Sequence, residues 1–278
     1  MSNNRQNIRP KKMNEFLSKY KVFTIEELDS YLAMNGSTNS NTRKAILTYY
    51  QNKDRIKRIR RGLYATVPLG NNPESSPVDP YLVAAKMTKD AVLAYHTALE
   101  FYGKAYSLHK QIIYVSQKKS LPLKLRSYEI KGVTIPNPLR VKGKEMFGVT
   151  SHKRSGVDVR VTNLERTFVD VLDRPDLAGS WEEIWRSLES IEFFDLDQVI
   201  EYTFLLENTT TAAKVGFYLE QHKENLMGED SHLKRLRKLR PQQPHYLIRG
   251  KRKDCQWNKN WNLMVPADVQ NKSWEDVS

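Results

Sequence analysis

The stretch from Thr24 to Val67, TIEELDSYLAMNGSTNSNTRKAILTYYQNKDRIKRIRRGLYATV, restricts the fold more than any other part of the chain. It opens on Thr24-x-x-Glu27, a capping box. The threonine hydroxyl can accept from the backbone N–H three residues on, and the glutamate can reach back to the cap's own N–H. Ile25, Leu28 and Leu32 then fall on one helical stripe. Asn35-Gly36 ends that helix, because both residues tolerate the left-handed backbone of a C-terminal turn. The polar run Ser37–Asn41 supplies a turn and a new N-cap, and a second helix runs to about Lys53. Two short strand-like runs follow, Ile56–Arg60 and Leu63–Val67, joined by Arg61-Gly62. Helix, turn, helix and basic hairpin in that order predict a winged helix-turn-helix over residues 1–67.

The second helix is then the one that enters a major groove. Two registers fit its pattern. Thr42, Ala45, Ile46 and Tyr49 match the i, i+3, i+4, i+7 template, and so do Arg43, Ile46, Leu47 and Tyr50. The second set is preferred, since it buries the larger apolar residues and lets Arg43 snorkel. Asn41, Lys44 and Thr48 point away from the core in either register. Their chemistry suits base edges: Asn for adenine, Lys for guanine O6/N7, a Thr methyl for the thymine methyl. Lys57, Arg58, Arg60 and Arg61 make the hairpin a cationic wing aimed at phosphates or a minor groove. With Arg43 they complete the expected DNA-binding set. The competing reading is a winged-helix fold used for protein contacts, its basic face merely solvated. The coincidence of motif with charge favours DNA: residues 1–70 hold 14 Lys+Arg against 5 Asp+Glu, +9 of the chain's net +13.

Composition sets the remaining bounds. With 278 residues the chain has room for two domains and a sizeable core. A single cysteine, Cys255, excludes an internal disulfide framework and fits a reducing compartment. The N-terminus MSNNRQNIRPKK lacks an apolar core of the signal-peptide kind, and no apolar run approaches a membrane span. A soluble cytoplasmic protein without membrane partners is expected. A pI near 9.6 favours a polyanionic partner, nucleic acid before membrane.

Along the chain, residues 10–20 place Met13, Phe16, Leu17 and Tyr20 on one face of a first helix. Residues 68–80, PLGNNPESSPVDP, have a linker composition and mark the domain boundary. A larger mixed α/β domain is expected over 81–278, making the whole chain α+β. Helical patterns cover 80–88 and 90–103. Strand-like runs follow at 111–116, 127–135, 145–151 and 157–161, with too few helices between them for an all-parallel sheet. Thr162-x-x-Glu165 reads as a capping box, as does Ser180-x-x-Glu183, and further helices are expected at 197–206 and 209–222. Residues 158–207 carry a net −9, whereas 228–253 carry +7. The latter stretch, with Lys234, Arg235, Arg237, Lys238 and Arg240, is a candidate second strip for DNA phosphates. WNLMVP near the end reads as a last strand, and the tail NKSWEDVS as frayed apart from Trp274.

Catalytic signals are few. The chain has no Gly-rich phosphate loop, no HExxH and no paired cysteines. No cofactor and no metal is expected, and a non-enzymatic role is the main reading. Glu129-x-Lys131 on a predicted strand has the look of half a metal-dependent nuclease site, but it lacks an upstream Asp at a strand end. Asp195-Leu196-Asp197 precedes a helix and reads as a cap. Arg166 and Asp170 are four apart on one helix, an ion pair or a partner contact, with Thr167 beside them.

RIRRGLYATVP after a helix-turn-helix, YHTALEFYG, VTNLERTFVDVLDRPDLAGSWEEIWRSLES, AKVGFYLEQH and the closing WNLMVP together resemble, in order, the AbiEi-type antitoxins of abortive-infection toxin–antitoxin pairs. Residues 104–145 show little of the resemblance, and the 228–253 strip is richer in Lys and Arg than the family leads one to expect. The resemblance implies a repressor of its own operon that binds inverted repeats in its promoter. It also implies an antitoxin that neutralises a cognate nucleotidyltransferase-like toxin without a stable complex. It places Arg166, Thr167 and Asp170 as candidates for the antitoxin role. Two rival functions remain: a transcription regulator whose C-terminal domain senses a ligand or another partner, and a nuclease using Glu129 and Lys131.

Overall fold

The structure, a computed structural model, describes residues 10–274. The first nine residues of the expected DNA-binding domain and the last four of the closing tail lie outside them. The chain begins with α1 (Pro10–Lys19), β1 (Val22–Thr24), α2 (Ile25–Met34), α3 (Ser40–Asn52) and the hairpin β2 (Ile56–Arg60) and β3 (Leu63–Thr66). The local signals act as read. Thr24 and Glu27 form both bonds of the capping box. Gly36 (φ +85°) turns the chain out of α2, and Gly62 (φ +84°) turns the hairpin. Leu47 and Tyr50 are buried while Ala45 and Tyr49 are exposed, so α3 adopts the register that sinks the larger apolar residues.

The three strands form a sheet in the order β1-β3-β2, and both of its faces are covered. Phe23 and Tyr64 point into a core with Met13, Phe16, Leu17, Leu28 and Leu47 from the three helices. Their neighbours Val22, Leu63 and Ala65 point the other way, into a core shared with the rest of the molecule. This is the period-two alternation of a strand with two buried faces.

The rest of the chain is built on a second sheet. Its elements are α4 (Pro80–Ala85), β4 (Val92–Leu93), α5 (His96–Phe101), β5 (Gln111–Ser116), β6 (Leu123–Leu125), β7 (Tyr128–Thr134), α6 (Asn137–Val141), β8 (Val149–Arg154) and β9 (Val157–Thr162). The six strands lie in the order β6-β7-β5-β4-β9-β8, with β5/β7 and β4/β9 parallel and the other pairs antiparallel. The sheet is therefore mixed. One face, through Leu93, Ile112, Tyr114 and Val161, packs on α4 and the back of the N-terminal sheet. The other, through Val92, Ile113 and Val115, meets a helical layer. That layer comprises α7 (Leu164–Asp173), a 3₁₀ turn (Pro175–Leu177), α8 (Trp181–Glu189), α9 (Leu196–Leu206), α10 (Thr209–Gln221) and α11 (Asp230–Arg237). A small sheet of β10 (His245–Tyr246), β11 (Cys255–Asn258) and β12 (Leu263–Pro266), with α12 (Ala267–Gln270), closes the fold. No helix among the described residues is long and apolar enough to cross a membrane.

Several expectations give way. The helix read over 90–103 is a central strand followed by a six-residue helix, separated by Tyr95 at φ +57°. Residues Ala91–Tyr95 are an apolar run buried on all sides. Such a run suits a central strand as well as a helix, and β5 and β9 on either side take it as strand. The strand read from 145 begins at Val149, because the carbonyls of Glu145 and Phe147 accept from the Arg166 guanidinium instead of a sheet neighbour. The cap of α7 is Asn163, whose Oδ1 accepts from Arg166 N at 3.0 Å. Thr162, read as that cap, is the last residue of β9, and its hydroxyl meets Thr167 Oγ1 at 2.7 Å. The segment 68–80 is tied down: Arg126 donates to the carbonyls of Glu74 and Ser76, and Lys57 pairs with Glu74 at 3.0 Å.

Candidate nucleic-acid interface

α3 packs on the N-terminal core by Ile46, Leu47 and Tyr50. Since side chains three and four apart share a helix face, Asn41, Lys44, Ala45, Thr48 and Tyr49 emerge on the opposite one, and all five are exposed. The side chains of Asn41, Lys44 and Thr48 make no hydrogen bond or ion pair with the described residues. Arg43 differs: it sits at the edge of the buried stripe and is held by Asp29 of α2, Nη1 to Oδ2 2.5 Å. It braces the two helices. Tyr49, 55% exposed, joins this face. Sequence reasoning missed it because a rival register placed it in the core. Its ring meets that of Tyr50 edge-on, at 5.1 Å between centroids.

The hairpin is less cationic outward than its sequence implies. β2 alternates, with a bulge between Arg58 and Arg60. Ile56 goes inward, and Arg60 turns towards the body, where Nη2 donates to the carbonyl of Met87. Arg60 is thus a clamp between the N-terminal unit and the central sheet, a correction to its expected phosphate role. Lys57 is engaged by Glu74. Arg58 and Arg61 remain exposed, Arg61 at the hairpin tip beside Gly62. Lys86 reaches across from the end of α4 to the Glu27 of the capping box, a second polar tie between the two parts.

The second basic strip divides likewise. Leu233 and Leu236 bury α11 against its neighbours. Arg235 pairs with Asp197 of α9 at 2.5 Å. Arg237 pairs with Glu220 of α10 at 2.8 Å and lies over the ring of Trp261. Arg240 donates to the carbonyls of Lys259 and Asn260. Of these five, only Lys234 and Lys238, four apart, face water without an ion pair among the described residues. Opposite charge along the chain here became contact between helices, so the five residues do not form one DNA-facing stripe.

Arg166, Thr167 and Asp170 are all buried. Arg166 reaches Asp170 Oδ2 at 3.4 Å and the carbonyls of Glu145 and Phe147 at 2.8 and 2.7 Å, while its Nη2 has no partner. Asp170 Oδ1 accepts from the Tyr202 hydroxyl at 2.6 Å. Burial raises the Asp170 carboxyl above its usual range, against the pull of Arg166 and Tyr202. The trio is a polar knot inside the helical layer, tying α7 to α9 and to the turn before β8. It offers no surface to a partner. The Glu129 carboxylate on β7 accepts from Gln111 at 3.1 Å. Asp79 caps α4 and binds Arg154, and Asp90 accepts from Gln117 N. No group of three or more His, Cys, Asp or Glu that could hold a metal occurs among the described residues. Asp195 caps α9, as expected.

No protein-family model and no curated protein matches the sequence. Among solved structures the chain is similar to the Rv2827c protein of Mycobacterium tuberculosis, at 18% identity over 96% of this chain and 94% of that one, with a TM-score of 0.57. At that identity the likeness extends to the fold.

Proposed function

We propose that this protein is a DNA-binding repressor of the antitoxin type, without catalytic activity of its own. In this reading residues 10–67 act as a winged helix-turn-helix, with α3 as the reading helix. The observation that carries it is the outer face of α3: Asn41, Lys44 and Thr48 are exposed, and their side chains are unpaired among the described residues, on a helix anchored to the N-terminal core by Leu47 and Tyr50. Arg58 and Arg61 on the hairpin are likewise exposed and without an ion pair among the described residues, available for the backbone. The partner is double-stranded DNA carrying inverted repeats, in the protein's own promoter. Neutralisation of a nucleotidyltransferase-like toxin rests on the resemblance of residues 161–190 and on nothing in the interface. A nucleotidyltransferase reading frame directly downstream, whose toxicity this chain relieves on co-expression, supports that half; toxicity unrelieved by this chain refutes it.

The DNA half is tested by binding to the upstream duplex against a scrambled duplex of equal length, from low salt to about 0.15 M. The expected result is a site-specific complex that survives the higher salt. Equal binding to both duplexes, lost together as salt rises, overturns it.

A further inference from the structure

A wide cleft lies far along the chain from α3, among segments that the proposed DNA-reading role leaves unused. It has a volume near 1140 Å³ and opens between the 3₁₀ turn after α7, the first turns of α10 and the strap 244–252. That is ample for a small-molecule ligand. Lys214 stands in its wall and is only 7% exposed. Its ammonium donates to the carbonyl of Leu172 at 3.0 Å and lies 5.6 Å from the centroid of the Trp181 ring, but makes no ion pair with a described carboxylate. A buried ammonium with one hydrogen bond and no carboxylate in direct contact is costly, and an anion entering the cleft would relieve that cost. Burial pushes its pKa down to about 8, against the pull of Asp173 and Asp176.

The acids lining the cleft are already engaged. Asp176 is held by Arg174 in a two-pronged pair at 2.9 and 2.8 Å, and Asp173 accepts from Thr211 and Asn208. Asn208 in turn takes the N–H groups of Thr210 and Thr211, so the end of α10 adds its positive field but not those donors. On the facing strap, Arg249 and Arg252 line the cleft, exposed and free of ion pairs among the described residues. The strap also presents Tyr246, 38% exposed, as an aromatic wall. Free cations and an aromatic face together suit one class of ligand, a charged phosphate chain attached to a flat ring.

We propose that this cleft binds a nucleoside phosphate, with Lys214, Arg249 and Arg252 on the phosphates and Tyr246 against the base. The inference stands apart from the DNA reading, since none of these residues belongs to the α3 face. It is tested by calorimetric titration of the full chain at about 0.15 M salt, which suppresses loose electrostatic binding. The probes are the four ribonucleoside triphosphates in turn, the matching nucleosides, and pyrophosphate. At least one triphosphate should bind saturably at one site, about tenfold or more tighter than its nucleoside or pyrophosphate. The exposed pair Arg249→Ala/Arg252→Ala, which leaves the core intact, should weaken it by a similar factor, while Lys44→Ala leaves it unchanged. No saturable binding up to about 1 mM, a range that weak specific sites still reach, overturns the proposal. So does pyrophosphate binding as tightly as every triphosphate, or an affinity that the arginine pair does not alter.

Discussion

Asp170→Ala isolates what the buried knot around Arg166 does. Arginine cannot shed its proton at any pH a protein survives, so the substitution leaves a guanidinium in the core without its carboxylate. It also strips the Tyr202 hydroxyl of its acceptor. The two carbonyls at Arg166 Nη1 offset part of the cost, since they lie in a half-exposed turn and stay bonded. Breaking a buried pair from one side typically costs about 3–5 kcal/mol, and that is the loss expected here. Replacing both members, Arg166→Met/Asp170→Ala, removes the stranded charge along with its partner. The double variant should be less damaged than the sum of the singles by about 1–3 kcal/mol. The assay is urea unfolding followed by tryptophan fluorescence, because Trp181, Trp185 and Trp261 share the apolar core that the knot sits in. A surface role in toxin neutralisation makes the opposite forecast, a stable Asp170→Ala protein that has lost only its activity. A cost below about 1 kcal/mol, or strict additivity of the two singles, refutes the account of a structural ion pair.

Lys44→Ala and Asn41→Ala should each cost about 1–3 kcal/mol on the specific DNA site and relax its sequence preference, whereas Arg58→Ala/Arg61→Ala should weaken all duplexes alike and flatten the salt slope by about two; competition binding with point-substituted duplexes separates the two. Equal loss on specific and random DNA in Lys44→Ala would show that α3 has been assigned the wrong face. Lys214→Met should raise stability at pH 7: a pKa lowered to about 8 lets the unfolded chain bind the proton more tightly, so the charged lysine opposes folding below pH 8. Wild-type stability gains on the variant as pH rises from about 8 towards the unfolded lysine value near 10.4, and urea midpoints across that range that run parallel would contradict it. Gly216→Ala on α10 would put a Cβ 2.1 Å from the buried Trp261 ring, and should destabilise by about 1–3 kcal/mol or more in thermal melts.

Much of the N-terminal unit was legible in the sequence, because its signals act over three or four residues. Thr24/Glu27 and Ser180/Glu183 close their capping boxes in the positions their spacing implies. The choice between two α3 registers followed from the volume each would bury. The Thr162/Glu165 pattern failed by one residue, for a reason outside its own helix. Pairing with β8 and β4 carries β9 through Thr162, and the next residue, Asn163, supplies the cap instead. The Ala91–Tyr95 run failed similarly, since an apolar run buried on every side has no period to read.

Charge was the least legible property. By sequence alone Lys57, Arg60, Arg235 and Arg237 are as cationic as Arg58, Arg61, Lys234 and Lys238. The amino-acid order determined where helices start, which stripes are apolar and how much charge each segment carries, because those are properties of neighbours along the chain. Only the tertiary structure decided which charges stay free. Arg60 finds the Met87 carbonyl 27 residues away, Arg235 finds Asp197 38 away, and the cleft around Lys214 is assembled from three separate segments. A cation's partner is set by Coulomb and hydrogen-bond geometry across a few ångströms of space, and separation along the sequence carries no record of that distance.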